Sequence, residues 1–277
     1  MTRKAMLIDT TLCMGASCNQ CQDACLEANG LPELPEDKKG RLSDMAWTAI
    51  KEVQVEDVGE INVRQLCRHC HDPICLSVCL VSAFHKTPDG AVLYDVGKCI
   101  GCRYCMQACP FHVPTYNWQS LYPKVIKCVL CSRGRKGEDG TMIPDRLSQG
   151  LEPACAEACP VGATVFGDYD EIIAEARNRM DENPEGYVPK IYGLTEAGGT
   201  TVLYLSSVPF EQLGFDTALQ EEPLPNLTWA ALNKVPYVVG VGSALLGGIW
   251  WITNRREEVR QHELHEAENH GDHGSER

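Results

Sequence analysis

Cys99-Ile-Gly-Cys102-Arg-Tyr-Cys105-Met-Gln-Ala-Cys109-Pro110 decides how this chain is read. Three thiols two residues apart, a fourth one helical turn on and then a proline form a run that cages a cubane iron–sulfur cluster. Working outward, the other twelve cysteines fall into three variants of it: Cys13-x4-Cys18-x2-Cys21-x3-Cys25, Cys67-x2-Cys70-x4-Cys75-x3-Cys79, and Cys128-x2-Cys131-x23-Cys155-x3-Cys159-Pro160. All 16 cysteines are used, four to a set, so the sequence predicts four 4Fe-4S clusters.

Two other chemistries use even numbers of cysteines. A disulfide framework suits small secreted domains without a sufficient core, but 277 residues with 44% apolar side chains can bury one unaided. Zinc also takes Cys-x2-Cys knuckles, but it favours two well-separated pairs over three thiols in one tight loop. A three-iron cluster would require a missing cysteine, and none is missing.

In two-cluster ferredoxins the fourth cysteine of each run ligates the other cluster. The sets are therefore expected to work in pairs. Only Leu80 to Lys98 separates the second and third sets, with a turn at Thr87-Pro88-Asp89-Gly90 and a short strand at Val92, Leu93 and Tyr94. That is one ferredoxin repeat, and by elimination the first and fourth sets pair around it. The expected quartets are Cys13, Cys18, Cys21 and Cys159; Cys128, Cys131, Cys155 and Cys25; Cys67, Cys70, Cys75 and Cys109; and Cys99, Cys102, Cys105 and Cys79. Pro110 and Pro160 stop the chain after two of the fourth cysteines, whereas Leu26 and Leu80 follow the other two.

The formal charge of −13 argues against nucleic acid as a partner, since backbone binding needs concentrated Lys and Arg. No nucleophile–base set, phosphate loop or flavin fingerprint is visible. Met1-Thr2-Arg3-Lys4 runs through the short apolar stretch Ala5–Ile8 into the first cysteine set. There is no signal-peptide apolar region, so the N-terminus is expected to be part of the fold.

Cys67-Arg-His-Cys70-His-Asp-Pro-Ile-Cys75, Lys98-Cys-Ile-Gly-Cys-Arg-Tyr-Cys-Met-Gln-Ala-Cys-Pro110, Lys127-Cys-Val-Leu-Cys131, Pro153-Ala-Cys-Ala-Glu-Ala-Cys-Pro-Val-Gly-Ala163 and Gly198-Gly-Thr-Thr-Val-Leu-Tyr-Leu205 together resemble a known family. It is the four-cluster iron–sulfur subunit of respiratory oxidoreductases, with likenesses to the beta subunit of membrane formate dehydrogenase and the iron–sulfur subunit of periplasmic nickel–iron hydrogenase. The resemblance covers most of residues 3–215. It implies the same exchange of fourth ligands. It also implies that the Cys13 quartet lies nearest a catalytic subunit and the Cys99 quartet nearest a membrane subunit bearing haem or quinone. Four residues (Met14-Gly-Ala-Ser17) separate Cys13 from Cys18, where the family has two. This puts the shape of the partner-facing end in question.

Val235 to Thr253 carries no charged residue and is long enough to cross the hydrocarbon core as a helix. Trp250 and Trp251 stand where an interfacial belt would, and Arg255 and Arg256 follow. Arg255, Arg256 and Arg260 against Lys234 place the tail in the cytoplasm and the cluster domain in the periplasm. The latter requires co-export with a partner that carries a twin-arginine signal; without such a partner the clusters face the cytoplasm. Gly240, Ala244 and Gly248 form a small-residue face suited to a neighbouring helix, or simply a glycine-rich single span.

The reading is an α+β fold: two interleaved bacterial-ferredoxin-like units, one inserted in the other, plus a C-terminal transmembrane helix. Residues 1–184 form the four-cluster domain, with the inner unit at about 62–115. Residues 185–229 are an extended partner-wrapping segment with a strand at Thr201–Leu205, 230–254 the membrane helix, and 255–277 a charged tail expected to be disordered. A surface helix is expected over 170–183 and a solvated or docking loop over Ser132–Ala154. His69 and His71 are taken as surface or second-layer groups, and Trp118 and Lys124 as packing and charge-tuning groups. The function expected is non-catalytic electron transfer in an oxidoreductase complex. The alternatives are the same role in another molybdopterin reductase, a cluster-bearing assembly scaffold, or an enzyme with an open cluster iron.

Overall fold

The computed structural model of the chain describes residues 3–136 and 140–271, which fall into two compact units divided between Pro225 and Asn226. In the first, β1 (Lys4–Asp9) is the middle strand of a three-stranded sheet. It runs antiparallel to β10 (Thr164–Asp168) and parallel to β11 (Val202–Leu205). Side chains alternate faces along a strand, and both faces of β1 are covered. Met6 and Ile8 join a core that contains many of the cysteines; Ala5 and Leu7 meet α5 (Tyr169–Glu182). That helix presents Tyr169, Ile172 and Ala176 on one stripe, as its apolar spacing predicts. Acidic Asp170 and Glu171 lie in its first turn and Arg179 in its last, complementing the helix dipole.

Four antiparallel hairpins decorate this frame. They are β2 (Ala49–Val55) with β3 (Gly59–Gln65), β4 (Phe84–Lys86) with β5 (Val92–Tyr94), β6 (Thr115–Tyr116) with β7 (Val125–Ile126), and β8 (Arg135–Lys136) with β9 (Met142–Ile143). The expected turn between β4 and β5 is closed by Gly90 N–H donating to the Thr87 carbonyl at 3.0 Å. In the Ser132–Ala154 stretch Arg135 donates through Nε to the Ala28 carbonyl at 3.0 Å, while residues 140–144 and 148–152 are exposed.

Four short helices each carry one set's third cysteine: α1 (Gln20–Asn29) Cys21, α2 (Ile74–Ser77) Cys75, α3 (Tyr104–Ala108) Cys105 and α4 (Ala154–Glu157) Cys155. Helix α1 packs on α4 and α2 on α3. Residues 185–225 belong to the same compact unit, with β11 in its sheet.

The second unit holds most of α6 (Leu224–Leu232) and all of α7 (Val235–Gly271). Pro236 lies in the first turn of α7, where its missing N–H breaks no helix bond. The helical stretch is long and apolar enough to cross a membrane. Disorder is expected beyond residue 254, but the helix continues through Gly271. Pairs at helical spacing favour this: Arg255–Glu258 at 3.1 Å and Arg260–Glu257 at 2.6 Å, with His262 Nδ1 3.5 Å from Glu266. Residues 272–277 of that tail lie outside the described residues.

Candidate metal centres

Local backbone geometry explains why these loops turn their sulfurs inward. The residue two positions after each set's first cysteine is left-handed: Gly15, His69, Gly101 and Leu130, with φ of 68°, 48°, 72° and 54°. A left-handed residue recurs three positions after three of the fourth cysteines, at Ser82, His112 and Gly162. Such conformations cost a non-glycine residue about 1–2 kcal/mol and persist where a site holds them. At Gly101 an added Cβ would strike the Pro123 carbonyl oxygen, so only glycine fits. These turns aim N–H groups at sulfur. Ala83 N–H donates to Cys79 Sγ at 3.2 Å, Thr164 N–H to Cys159 Sγ at 3.3 Å and Leu130 N–H to Cys128 Sγ at 3.3 Å. Tyr116 Oη lies 3.1 Å from Cys105 Sγ.

Cys13, Cys18, Cys21 and Cys159 line one cavity together with Ile8, Ile50 and Arg64. Cys67, Cys70, Cys75 and Cys109 line a second, with Arg68, Pro110 and Lys127. Cys25 faces Cys128, Cys155 and Cys131, and Cys105 faces Cys99, Cys102 and Cys79. Burial pushes Cys21 up to about 11 against the opposing pull of Arg64, and Cys75 up to about 12 against that of Lys127, with smaller upward pushes from neighbouring thiols. Between groups, Cys21 neighbours Cys155, Cys128 neighbours Cys67, and Cys75 neighbours Cys105. The groups therefore follow one another as Cys13, Cys128, Cys67 and Cys99.

All sixteen thiols are free, and among the described residues no three of His, Cys, Asp and Glu converge on a single ion. Thiols that surround a cavity without meeting at a point fit a cubane better than zinc. The two cavities offer little polar lining besides sulfur and the cations, which also suits such a group. Cys102 is the exposed member of the sixteen, and Leu80, Ile100, Tyr104, Trp118, Leu121 and Tyr122 are exposed apolar residues in or near its set.

The Met14–Ser17 insertion forms a short 3-10 turn from Gly15 that packs on the β2–β3 hairpin. His69 is fully buried; its Nδ1 accepts from Val92 N–H at 2.9 Å, which makes it a framework group and not a surface one. Burial, then Arg3 and Lys86, lower the His71 pKa to about 4. Lys124 Nζ holds the Cys99 carbonyl, whereas Trp118 is exposed beneath the Arg103 guanidinium at 4.6 Å. The sequence reading misses three buried cations, Arg64, Arg68 and Lys127. Lys127 had a signal in its position just before Cys128; Arg64, one charge in an alternating strand, had none.

An α+β frame built around ferredoxin-type cysteine loops defines an iron–sulfur electron-transfer protein. Residues 60–169 match the 4Fe-4S dicluster domain family. The chain is 38% identical to a protein of Nitratidesulfovibrio vulgaris, over 95% of this chain and 70% of that one. It is 37% identical to the hydrogenase-2 operon protein HybA of Escherichia coli O157:H7, over 75% and 71% of the two chains. It is 32% identical to the formate dehydrogenase-O iron–sulfur subunit of Escherichia coli K12, over 95% and 88%. The chain belongs to the family of 4Fe-4S electron-transfer subunits that includes these formate dehydrogenase subunits and HybA.

Proposed function

We propose that the chain carries four 4Fe-4S clusters in the quartets expected from the sequence, with fourth ligands exchanged between runs. It would relay electrons between a catalytic subunit of formate dehydrogenase or hydrogenase type and a membrane subunit bearing haem or quinone. The observation that carries this is the grouping of the thiols: two complete quartets each line a cavity, and neighbouring groups follow one another in a single file. The packing of α1 on α4 and α2 on α3 supports two interleaved units, the inner at about 62–115.

Bound clusters supply one-electron transfer. The chain's own residues space the sites, exclude water and direct N–H groups at the ligating sulfurs, which sets potential. The exposed apolar residues around Cys102 suit the end that meets a membrane partner, and the Cys13 end the catalytic one. The apolar helix at Val235 would anchor the chain. Three arginines after it favour a cytoplasmic tail and a periplasmic cluster domain, co-exported with a partner.

Anaerobic purification in detergent from native membranes tests the reading. About sixteen irons and sixteen acid-labile sulfides per chain are expected, with a molybdopterin or nickel–iron subunit and a membrane subunit co-purifying. Zinc in place of iron, or a chain recovered without partners from gently solubilised membranes, would refute it.

A further inference from the structure

Among the described residues, three buried cations lie in the wire proposed above without a carboxylate partner: Arg68 stacks on the Tyr204 and Phe215 rings, whereas Arg64 and Lys127 lie between cysteine groups. Arg64 is 2% exposed, and its guanidinium cannot deprotonate in a protein. Its Nε donates to Thr48 Oγ1 at 3.0 Å and its Nη1 to Thr164 Oγ1 at 2.7 Å, both neutral hydroxyls; Nη2 has no hydrogen-bond partner. Lys127 is equally buried, and its Nζ donates to the carbonyls of Val92 and Cys128. Neither cation forms an ion pair with Asp or Glu among the described residues.

A buried, uncompensated cation is strongly unfavourable unless an anion faces it. The groups that face these two cations are cysteine sulfurs, which carry negative charge as thiolates when they ligate the proposed clusters. Arg64 lines the Cys13 cavity and lies beside Cys155 of the next group; Lys127 lines the Cys67 cavity and lies beside Cys128 of that same group. The Cys128 group therefore has one fixed positive charge on each side. At the far end of the file, exposed Cys102 has water for the same purpose.

We propose that Arg64 and Lys127 are shared counter-cations at the two junctions that flank the Cys128 group, raising the reduction potentials of the sites they separate and keeping the buried middle of the chain reducible. This rests on the four-cluster reading. Each reduction adds one electron to a site, with no bond made or broken and no proton required. Burial penalises that added negative charge, and a fixed cation beside it offsets the penalty. Both residues act through the sites they face and are positioning residues, not catalytic ones.

The test is a dithionite titration followed by electron paramagnetic resonance on the whole anaerobically purified chain, with iron counted in every sample. Arg64→Gln and Lys127→Gln should each lower the midpoint of at least one cluster signal. The expected loss in the reduction equilibrium is roughly tenfold for a unit charge about 10 Å away at an effective dielectric constant of about 20, or about 59 mV for one electron. Arg64→Lys and Lys127→Arg should keep the wild-type midpoints. The signal lost in Cys131→Ser should be the one that both Gln variants move. If the Gln variants lose iron while the charge-keeping variants retain it, the charge is needed to hold the cluster, and the inference stands. Unchanged midpoints at full iron content overturn it, and so does an equal shift or equal iron loss in both kinds of variant. A wild-type chain with far fewer than sixteen irons would instead refute the four-cluster reading.

Discussion

The Arg68 guanidinium carbon lies 3.9 Å from the centroid of the Tyr204 ring, and Tyr204 Oη donates to the Arg64 carbonyl at 2.8 Å. One tyrosine of β11 thus holds down both the start of the second cysteine loop and the strand that leads into it. Phe215 closes the cluster, its ring 5.2 Å from that of Tyr204 and 4.9 Å from the Arg68 guanidinium. Everything in this contact is buried or nearly so, and a desolvated cation–π pair is worth about 2 kcal/mol.

Two substitutions at Tyr204 should separate its parts. Tyr204→Phe keeps the ring under Arg68 but leaves the buried Arg64 carbonyl without that donor, a loss of about 1–2 kcal/mol. Tyr204→Ala removes ring, contact and hydrogen bond, for about 3–5 kcal/mol. Urea midpoints of the cluster-loaded chain should fall in that order, with iron content at 25 °C kept in the phenylalanine variant. Equal midpoints for wild type and Tyr204→Phe would show that the hydrogen bond carries no weight.

How much of this was legible in the sequence depended on how local the determinant was. Cys99 to Cys109 forms a loop and one helical turn, so spacing alone exposes it. The helix at Tyr169–Glu182 was legible for the same reason, since its apolar stripe repeats every three to four residues. The roles of Arg64 and Arg68 were not legible, because both depend on Tyr204, Thr164 and Cys155, which lie far along the chain. Arg64 alternates with Val63 and Gln65 in β3, where an arginine would ordinarily point to water. The tail from Arg255 misled in the opposite direction. Its low apolar content reads as disorder, while the pairs at three- and four-residue spacing favour helix.

The proposed exchange of fourth ligands makes an unusual prediction about single serine substitutions. If each run supplies its own four ligands, Cys109→Ser should damage the site of Cys99, Cys102 and Cys105. Cys109 instead lines the cavity of Cys67, Cys70 and Cys75, so the signal lost should match that lost in Cys70→Ser. About four of sixteen irons should disappear in either variant. Cys79→Ser should pair in the same way with Cys102→Ser. A Cys109→Ser spectrum matching that of Cys102→Ser would reject the exchange.

Glu196 gives the fold an acid-sensitive point in the turn whose Thr200 pairs with Cys70. It is buried; its Oε1 lies 2.8 Å from Lys190 Nζ, and its Oε2 accepts from Gly193 N–H at 2.7 Å. Burial by itself would raise its pKa, but the lysine and the N–H donors outweigh burial and hold the carboxyl below its usual range. A depressed folded pKa means stability that is fully present above the unfolded value of about 4.3 and lost as pH falls through the folded one. Lys190 is partly exposed, so the contribution is modest, about 1–2 kcal/mol. Wild type should exceed Glu196→Gln in urea midpoint at pH 7, and the two should converge below about pH 4. A gap that persists in acid would assign the effect to shape instead of charge.

The helix at Val235–Gly271 makes the last prediction, because membrane anchoring and mere exposure of an apolar helix respond differently to one charge. Leu245 stands near the middle of the uncharged stretch and is exposed within its unit. In a bilayer an arginine there costs about 2.5–3.5 kcal/mol by insertion scales. Leu245→Arg should therefore move the chain from the carbonate-resistant membrane pellet towards the supernatant. Arg260→Leu, beyond the interfacial Trp250 and Trp251, should leave it in the pellet. If the helix instead lies on a partner protein in water, the arginine would snorkel at little cost and both variants would fractionate alike. A reporter fused after residue 277 would then read sidedness. Three arginines after the span against Lys234 before it predict a cytoplasmic signal, and replacing Arg255, Arg256 and Arg260 together by Gln should weaken or reverse it.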